Sequence, residues 1–256
     1  MTSNRQAPIL SVSDLKSVYG DQLILKDVSF EVARGEIVVI LGKSGCGKST
    51  LLRHLIGLDE PAEGKILIDG KNMMYATESE RAALLRRIGV MYQGSALFGS
   101  MNLVENILLP IEELTHLPEE ARHILAWLKL TAVDLEQYAH HLPSEISGGM
   151  QKRAALARAM ALDPIILFLD EPSAGLDPVT SADLDRLILR LNRSLGITFV
   201  VVTHEMSSVY TIANRAIMLD PLEKSIIAQG TPADLRDSSP DPRVRRFFTR
   251  NPKNGK

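Results

Sequence analysis

Short apolar runs rich in β-branched side chains recur at residues 36–40, 89–92, 165–169 and 198–202. Each is apolar almost throughout instead of alternating with polar positions, the pattern of a strand buried on both faces. Stretches of helical periodicity separate them, so they predict an α/β fold on a parallel sheet. Residues 94–160 break that rhythm with helical patterns and no intervening strand. Pro118, Glu119 and Glu120 open one of these helices, which runs towards Leu130. The stretch reads as a helical subdomain inserted between two sheet strands, and the N-terminal part to about Val32 as antiparallel strands flanking the sheet. The expected division is 1–93 and 161–230 for the two parts of the sheet core, 94–160 for the helical subdomain and 231–256 for a C-terminal tail. Thr231-Pro232-Ala233-Asp234 places a capping hydroxyl, a proline and a carboxylate where a helix begins, and Asp241-Pro242 starts a last short helix.

Composition narrows the partners. At 256 residues the chain can bury a sizeable core, and a net charge of -2 gives no electrostatic basis for a nucleic-acid partner. A single cysteine excludes an internal disulfide framework or a zinc ribbon and fits a reducing cytosol. The chain shows neither a secretory signal pattern nor an apolar run near the length of a membrane span, so any membrane role is expected to come through a partner.

The chemistry begins at Gly42-Lys43-Ser44-Gly45-Cys46-Gly47-Lys48-Ser49-Thr50, between a predicted strand and an apolar helix over 51–58. Gly42, Gly45 and Gly47 let backbone N–H groups converge on phosphate oxygens, and the helix start at Ser49 and Thr50 adds its positive end. Ser44 and Cys46 occupy loop positions around the phosphates, Cys46 as a small tolerated side chain. Lys48 is placed to reach the β- and γ-phosphates and the Ser49 hydroxyl to bind Mg²⁺. Asp170 and Glu171 close the run at 165–169, at the strand end where open α/β sheets bind ligands. Asp170 is assigned to the metal and Glu171 to the attacking water. Gln93 ends another strand and reads either as a ligand of Mg²⁺ or water or as a surface glutamine. His204 follows residues 198–202 and reads either as a γ-phosphate donor or as structural. The other five histidines (54, 116, 123, 140 and 141) show no metal-ligand spacing.

A second segment, Ile146-Ser147-Gly148-Gly149-Met150-Gln151, offers a bare backbone at a helix N-terminus. Ser147, Gly148 and Gly149 suit a phosphate already held by another copy of the protein, which turns a generic nucleotide site into an ATP-gated dimer. Met150, Ala154, Ala157 and Ala161 recur at helical spacing and read as core.

These motifs, in this order, resemble the ATP-binding cassette (ABC) ATPases along nearly the whole chain. The resemblance covers the phosphate loop, a Gln loop at Gln93, the Ser147–Gly149 signature, Asp170 with Glu171, a loop at Ser173-Ala174-Gly175-Leu176-Asp177 and a switch at His204. Tyr19, ahead of Gly20, stands where the family stacks an aromatic ring on adenine. Met150 departs from the glutamine of many members and leaves Ser147 and Gly149 intact. The resemblance implies a P-loop NTPase with a RecA-like parallel sheet, makes Gln93 and His204 site residues and brings Asp177 to the nucleotide. It further implies ATP and Mg²⁺ as ligands and a head-to-tail homodimer closing on two ATPs.

Residues 93–106, residues 170–178 and the tail over 241–248 are similar to a narrower group, the ATPase subunits of MCE-type (Mla-like) lipid transporters. That similarity implies phospholipid transport through an integral-membrane permease, an MCE-domain lipid-binding protein, a small regulatory subunit and a place on the cytoplasmic face of the inner membrane. The alternative is the ATPase of an importer for a small hydrophilic solute, against which stands the lack of a sizeable regulatory domain after residue 230. Leu97, Phe98 and Met101 read either as a socket for a permease helix or as filling for the helical subdomain. Val244, Phe247 and Phe248 share one helical face, expected to dock on the partner ATPase or a regulator, or to stay solvated, while the tail's basic residues face an anionic leaflet.

Overall fold

The computed structural model describes residues 7–73 and 75–249. Strands β1 (Leu10–Tyr19) and β2 (Gln22–Val32) pair antiparallel across the Gly20-Asp21 turn. β3 (Ile37–Gly42) leads through the glycine-rich loop into α1 (Lys48–Leu55). β4 (Glu63–Ile68) and the two-residue β5 (Lys71–Asn72) complete a sheet ordered β2-β1-β4-β5, and α2 (Glu78–Leu85) precedes β6 (Ile88–Met91). Three helices follow without a strand among the described residues: α3 (Leu103–Leu114), α4 (Glu119–Ala132) and α5 (Gly148–Ala159). The chain then returns through β7 (Ile166–Asp170), α6 (Pro178–Leu195), β8 (Thr198–Val202), α7 (Met206–Ile212), β9 (Arg215–Asp220) and β10 (Ser225–Gly230). Two short helices end it, α8 (Pro232–Asp237) and α9 (Pro242–Thr249).

The four apolar runs become neighbours in a six-stranded sheet ordered β10-β9-β3-β8-β7-β6, parallel except for β10. Their unbroken apolarity has a direct cause. Along β3, Ile37, Val39 and Leu41 enter a core with α3, α4, α5 and α6, while Val38 and Ile40 enter a second core with α1 and the antiparallel sheet. β7 and β8 divide in the same way, so both faces of these strands leave water. A parallel sheet aims every strand C-terminus to one side, and Gly42, Asp170 and Val202 therefore end on a common edge.

The structure revises two expectations. The helix after the glycine-rich loop stops at Leu55 instead of reaching 58, because Gly57 N donates to His54 O (3.1 Å) and Leu58 N to Arg53 O (2.9 Å) in a Schellman-type ending. The aromatic face of the tail is used within its own chain. Val244 and Phe248 are buried, Phe247 packs beside them, and Tyr210 of α7 donates its hydroxyl to Phe248 O (3.0 Å) and meets the Phe248 ring edge-on at 6.2 Å. Arg250, Lys253 and Lys256 of the basic tail lie outside the described residues.

Candidate nucleotide site

The glycine-rich loop is shaped by sterics before any ligand arrives. At Gly42 (φ +152°) a Cβ would stand 2.5 Å from Leu219 O, and at Gly47 (φ +96°) 2.7 Å from Leu25 Cδ2, so the loop lies against the core where no side chain fits. Cys46 turns inward and is buried, which pushes its thiol up and leaves its backbone in the loop. Lys43, Ser44, Gly45 and Ser49 are exposed and Thr50 is half-buried. Lys48 folds back over the loop, its Nζ 3.0 Å from Gly42 O and 3.3 Å from Lys43 O. The start of α1 is bare: Gly47 supplies no side-chain cap and the first turn holds no acidic residue. By contrast α2, α3 and α8 all begin on a side-chain cap. Uncapped N–H groups, a helix dipole and a lysine at one loop are a fit for phosphate oxygens.

Across the same edge, Asp170 is half-buried at the end of β7. Burial and then the charge of Glu171 push its carboxyl up, against Lys48 and Lys152. A half-buried carboxylate on this edge suits a divalent cation, and Ser49 and Gln93 carry oxygens that could join it as ligands of Mg²⁺. Glu171 takes a left-handed backbone (φ +45°) and its N–H donates to Val202 O at 2.8 Å. That turn aims its carboxylate at the end of β8. His204 Nδ1 lies 2.7 Å from Glu171 Oε1, and Thr203 Oγ1 (3.1 Å) and His204 N (3.4 Å) donate to Oε2. The Glu171 side chain keeps 13% exposure while that of His204 has 70%. The carboxylate is thus held on one side, while most of the His204 side chain faces solvent.

The remaining predicted residues fall into three places. Gln93 lies exposed two residues beyond β6, and its carbonyl accepts from Lys152 Nζ. Ser147 caps α5, its Oγ accepting from Met150 N at 3.3 Å, with Gly148 exposed beside it and Gly149 tight against Thr180 of α6. Met150 is half-buried, and Ala154, Ala157 and Ala161 are core. Asp177 caps α6, accepting from Val179 N (3.0 Å) and Thr180 N (3.1 Å). Tyr19 ends β1 half-exposed and donates to Asp59, which pairs with Arg53 Nε at 2.6 Å. Leu97 packs on the core and Phe98 is 49% exposed under the Arg158 guanidinium, 5.7 Å from its ring centroid.

Sequence reading missed two residues, Thr203 and Lys152. A threonine between a strand and His204 carries no motif signal, and a lysine inside a helix reads as a solvated charge. Only the burial of both, with their bonds to Glu171 and Gln93, reveals them.

A phosphate loop and a carboxylate pair on one sheet edge, in a chain that also carries a Ser-Gly-Gly helix start, are the parts of an ATP-hydrolysing cassette. Residues 25–174 match the ABC transporter family, and the chain belongs to it. It is an ATP-binding ABC ATPase. Among curated relatives, it is 42% identical over 242 residues to the intermembrane phospholipid transport system ATP-binding protein MlaF of Escherichia coli (strain K12), covering 94% of this chain and 89% of that protein. It is 40% identical to the probable ribonucleotide transport ATP-binding protein mkl of Mycobacterium tuberculosis (strain ATCC 25618 / H37Rv), covering 93% and 66%. Among solved structures it superposes, with a TM-score of 0.77 and 32% identity over 87% of this chain and 98% of the other, on the dimeric post-hydrolysis state of the ATP-binding cassette MJ0796 bound to ADP and Pi. The described residues contain no helix long and apolar enough to cross a membrane.

Proposed function

We propose that the chain is the ATPase subunit of an MCE-type phospholipid transporter, peripheral on the cytoplasmic face of the inner membrane. Two copies close head-to-tail on two ATPs and drive an integral-membrane permease coupled to an MCE-domain protein, with a small regulatory subunit. The observation that carries this reading is the near full-length similarity to MlaF, which covers 94% of this chain.

In this reading Lys48 exchanges the Gly42 and Lys43 carbonyls for phosphate oxygens, joined by the bare N–H groups of α1 and by the exposed Ser44 and Gly45. Tyr19 stacks on adenine while its hydroxyl stays tied to Asp59. Glu171, steadied by Thr203 and His204, orients and deprotonates the attacking water. His204 turns its ring N–H from Glu171 to the γ-phosphate, while its backbone N–H stays on Glu171 Oε2. Ser147, Gly148 and Gly149 receive the phosphate held by the second copy, next to Asp177. Mg²⁺, when bound, neutralises charge developing on the phosphates.

The similarity to mkl favours a second cargo, a ribonucleotide, and one experiment separates the two. The tagged chain is purified from gently solubilised native membranes, and co-purifying proteins and lipids are identified by mass spectrometry. A permease with an MCE-domain protein and bound phospholipid is expected. A permease with a soluble solute-binding protein refutes the lipid reading.

A further inference from the structure

Lys152 is a buried charge next to the site that the reading above does not use. It stands on α5, five residues after Ser147, with 6% exposure, and its ammonium donates to the Gln93 carbonyl. Burial pushes its pKa down, and the charges of Asp170 and Glu171 act against that. An ammonium in such a place persists only where oxygens compensate it, and here they are those of the nucleotide edge. Farther along α5, Arg158 donates to Ala96 O (2.7 Å) and Ser95 O (3.2 Å). Ser95 and Ala96 both hold left-handed backbones, φ +62° and +52°, which side-chain-bearing residues keep only when their surroundings hold them there. One helix therefore grips three carbonyls of the segment after β6 through two cations.

We propose that Lys152 is a positioning residue of the ATPase reaction, setting the place of Gln93 beside Asp170 and Glu171. Because α5 begins at Ser147, it also ties that placement to the nucleotide held by a second copy. A movement of α5 on closure then reaches Gln93 as a shift of its backbone. The inference rests on the dimeric ATPase reading above.

The test compares steady-state turnover of the full-length chain with Mg-ATP, and affinity for a fluorescent ATP analogue, in Lys152→Met and Lys152→Arg. Lys152→Met is expected to lower kcat by about 10–100-fold, the usual cost of removing a partner one layer behind the reacting groups. KM and analogue affinity should stay within about threefold. Lys152→Arg, which keeps the charge and the donors, should recover kcat to within about fivefold of the original. A Lys152→Met kcat within twofold of the original overturns the proposal. So does an equal loss of kcat and affinity in both variants, which marks a folding effect alone. If Lys152→Met does not fold, Lys152→Gln takes its place, with unchanged turnover again the overturning result. Failure of the underlying reading is separable, since it would appear as unchanged turnover in Glu171→Gln.

Discussion

Asp185 lies on α6 with 3% exposure, facing α7, the helix that starts two residues after His204. Burial pushes its carboxyl up from 3.8 to about 6; the nearby Glu205 charge adds to the rise and the Ser208 hydroxyl opposes it. At about 1.4 kcal/mol per tenfold change in proton affinity, the ionised form costs about 3 kcal/mol at neutral pH. Asp185→Asn removes the charge and keeps the shape. Allowing for the amide's own desolvation, it should stabilise the protein by about 2 kcal/mol at pH 7.5, raising Tm by about 4–8 °C. The sign with pH follows from linkage. Between 3.8 and about 6 the folded chain holds a proton that the unfolded chain releases, so stability falls as pH rises through that window and is level above it. By pH 5 the original protein should regain about 1.4 kcal/mol that the asparagine variant does not. Thermal or urea unfolding of both proteins from pH 5 to 7.5 reads the difference directly. A difference between them that stays constant across that range would refute the account, whatever its size.

Two further outcomes are expected. Thr203→Val keeps the shape of a fully buried side chain and removes a donor to Glu171 Oε2. A hydrogen bond to a charged group is worth about 1.5–3 kcal/mol, so kcat should fall about tenfold or more with KM little changed, and steady-state ATPase assays showing full turnover would discard Thr203 as a support of Glu171. Phe248→Ala empties a site with 4% exposure; unfolding should show a loss of about 3 kcal/mol, and a loss below 1 kcal/mol would mean that α9 is not seated on α7.

Much of the fold was legible because its central strands are buried on both faces, which leaves unmistakable apolar runs in the sequence. The edge was not. β10 is half-buried along most of its length, with no alternation for a reader to find, and β4 depends on a partner strand that only the folded chain supplies. At the site, the glycine-rich loop could be read because its glycines are steric requirements, as Gly42 against Leu219 shows. The left-handed turn of Glu171 and the burial of Lys152 could not, since both are set by contacts between segments more than thirty residues apart. Val244 and Phe248 were recognised as one face, but nothing local says whether such a face finds Tyr210 of its own chain or another protein.

The bare start of α1 makes the nucleotide a folding partner as well as a fuel. Amide groups that α2, α3, α5, α6 and α8 satisfy with a side chain have no such partner at the start of α1, which leaves them to a bound phosphate. A ligand at a hundred times its dissociation constant adds about 2.7 kcal/mol to the folded state. Wherever nucleotide is plentiful this contribution favours the folded cassette, and starvation for adenylates would remove it together with the fuel.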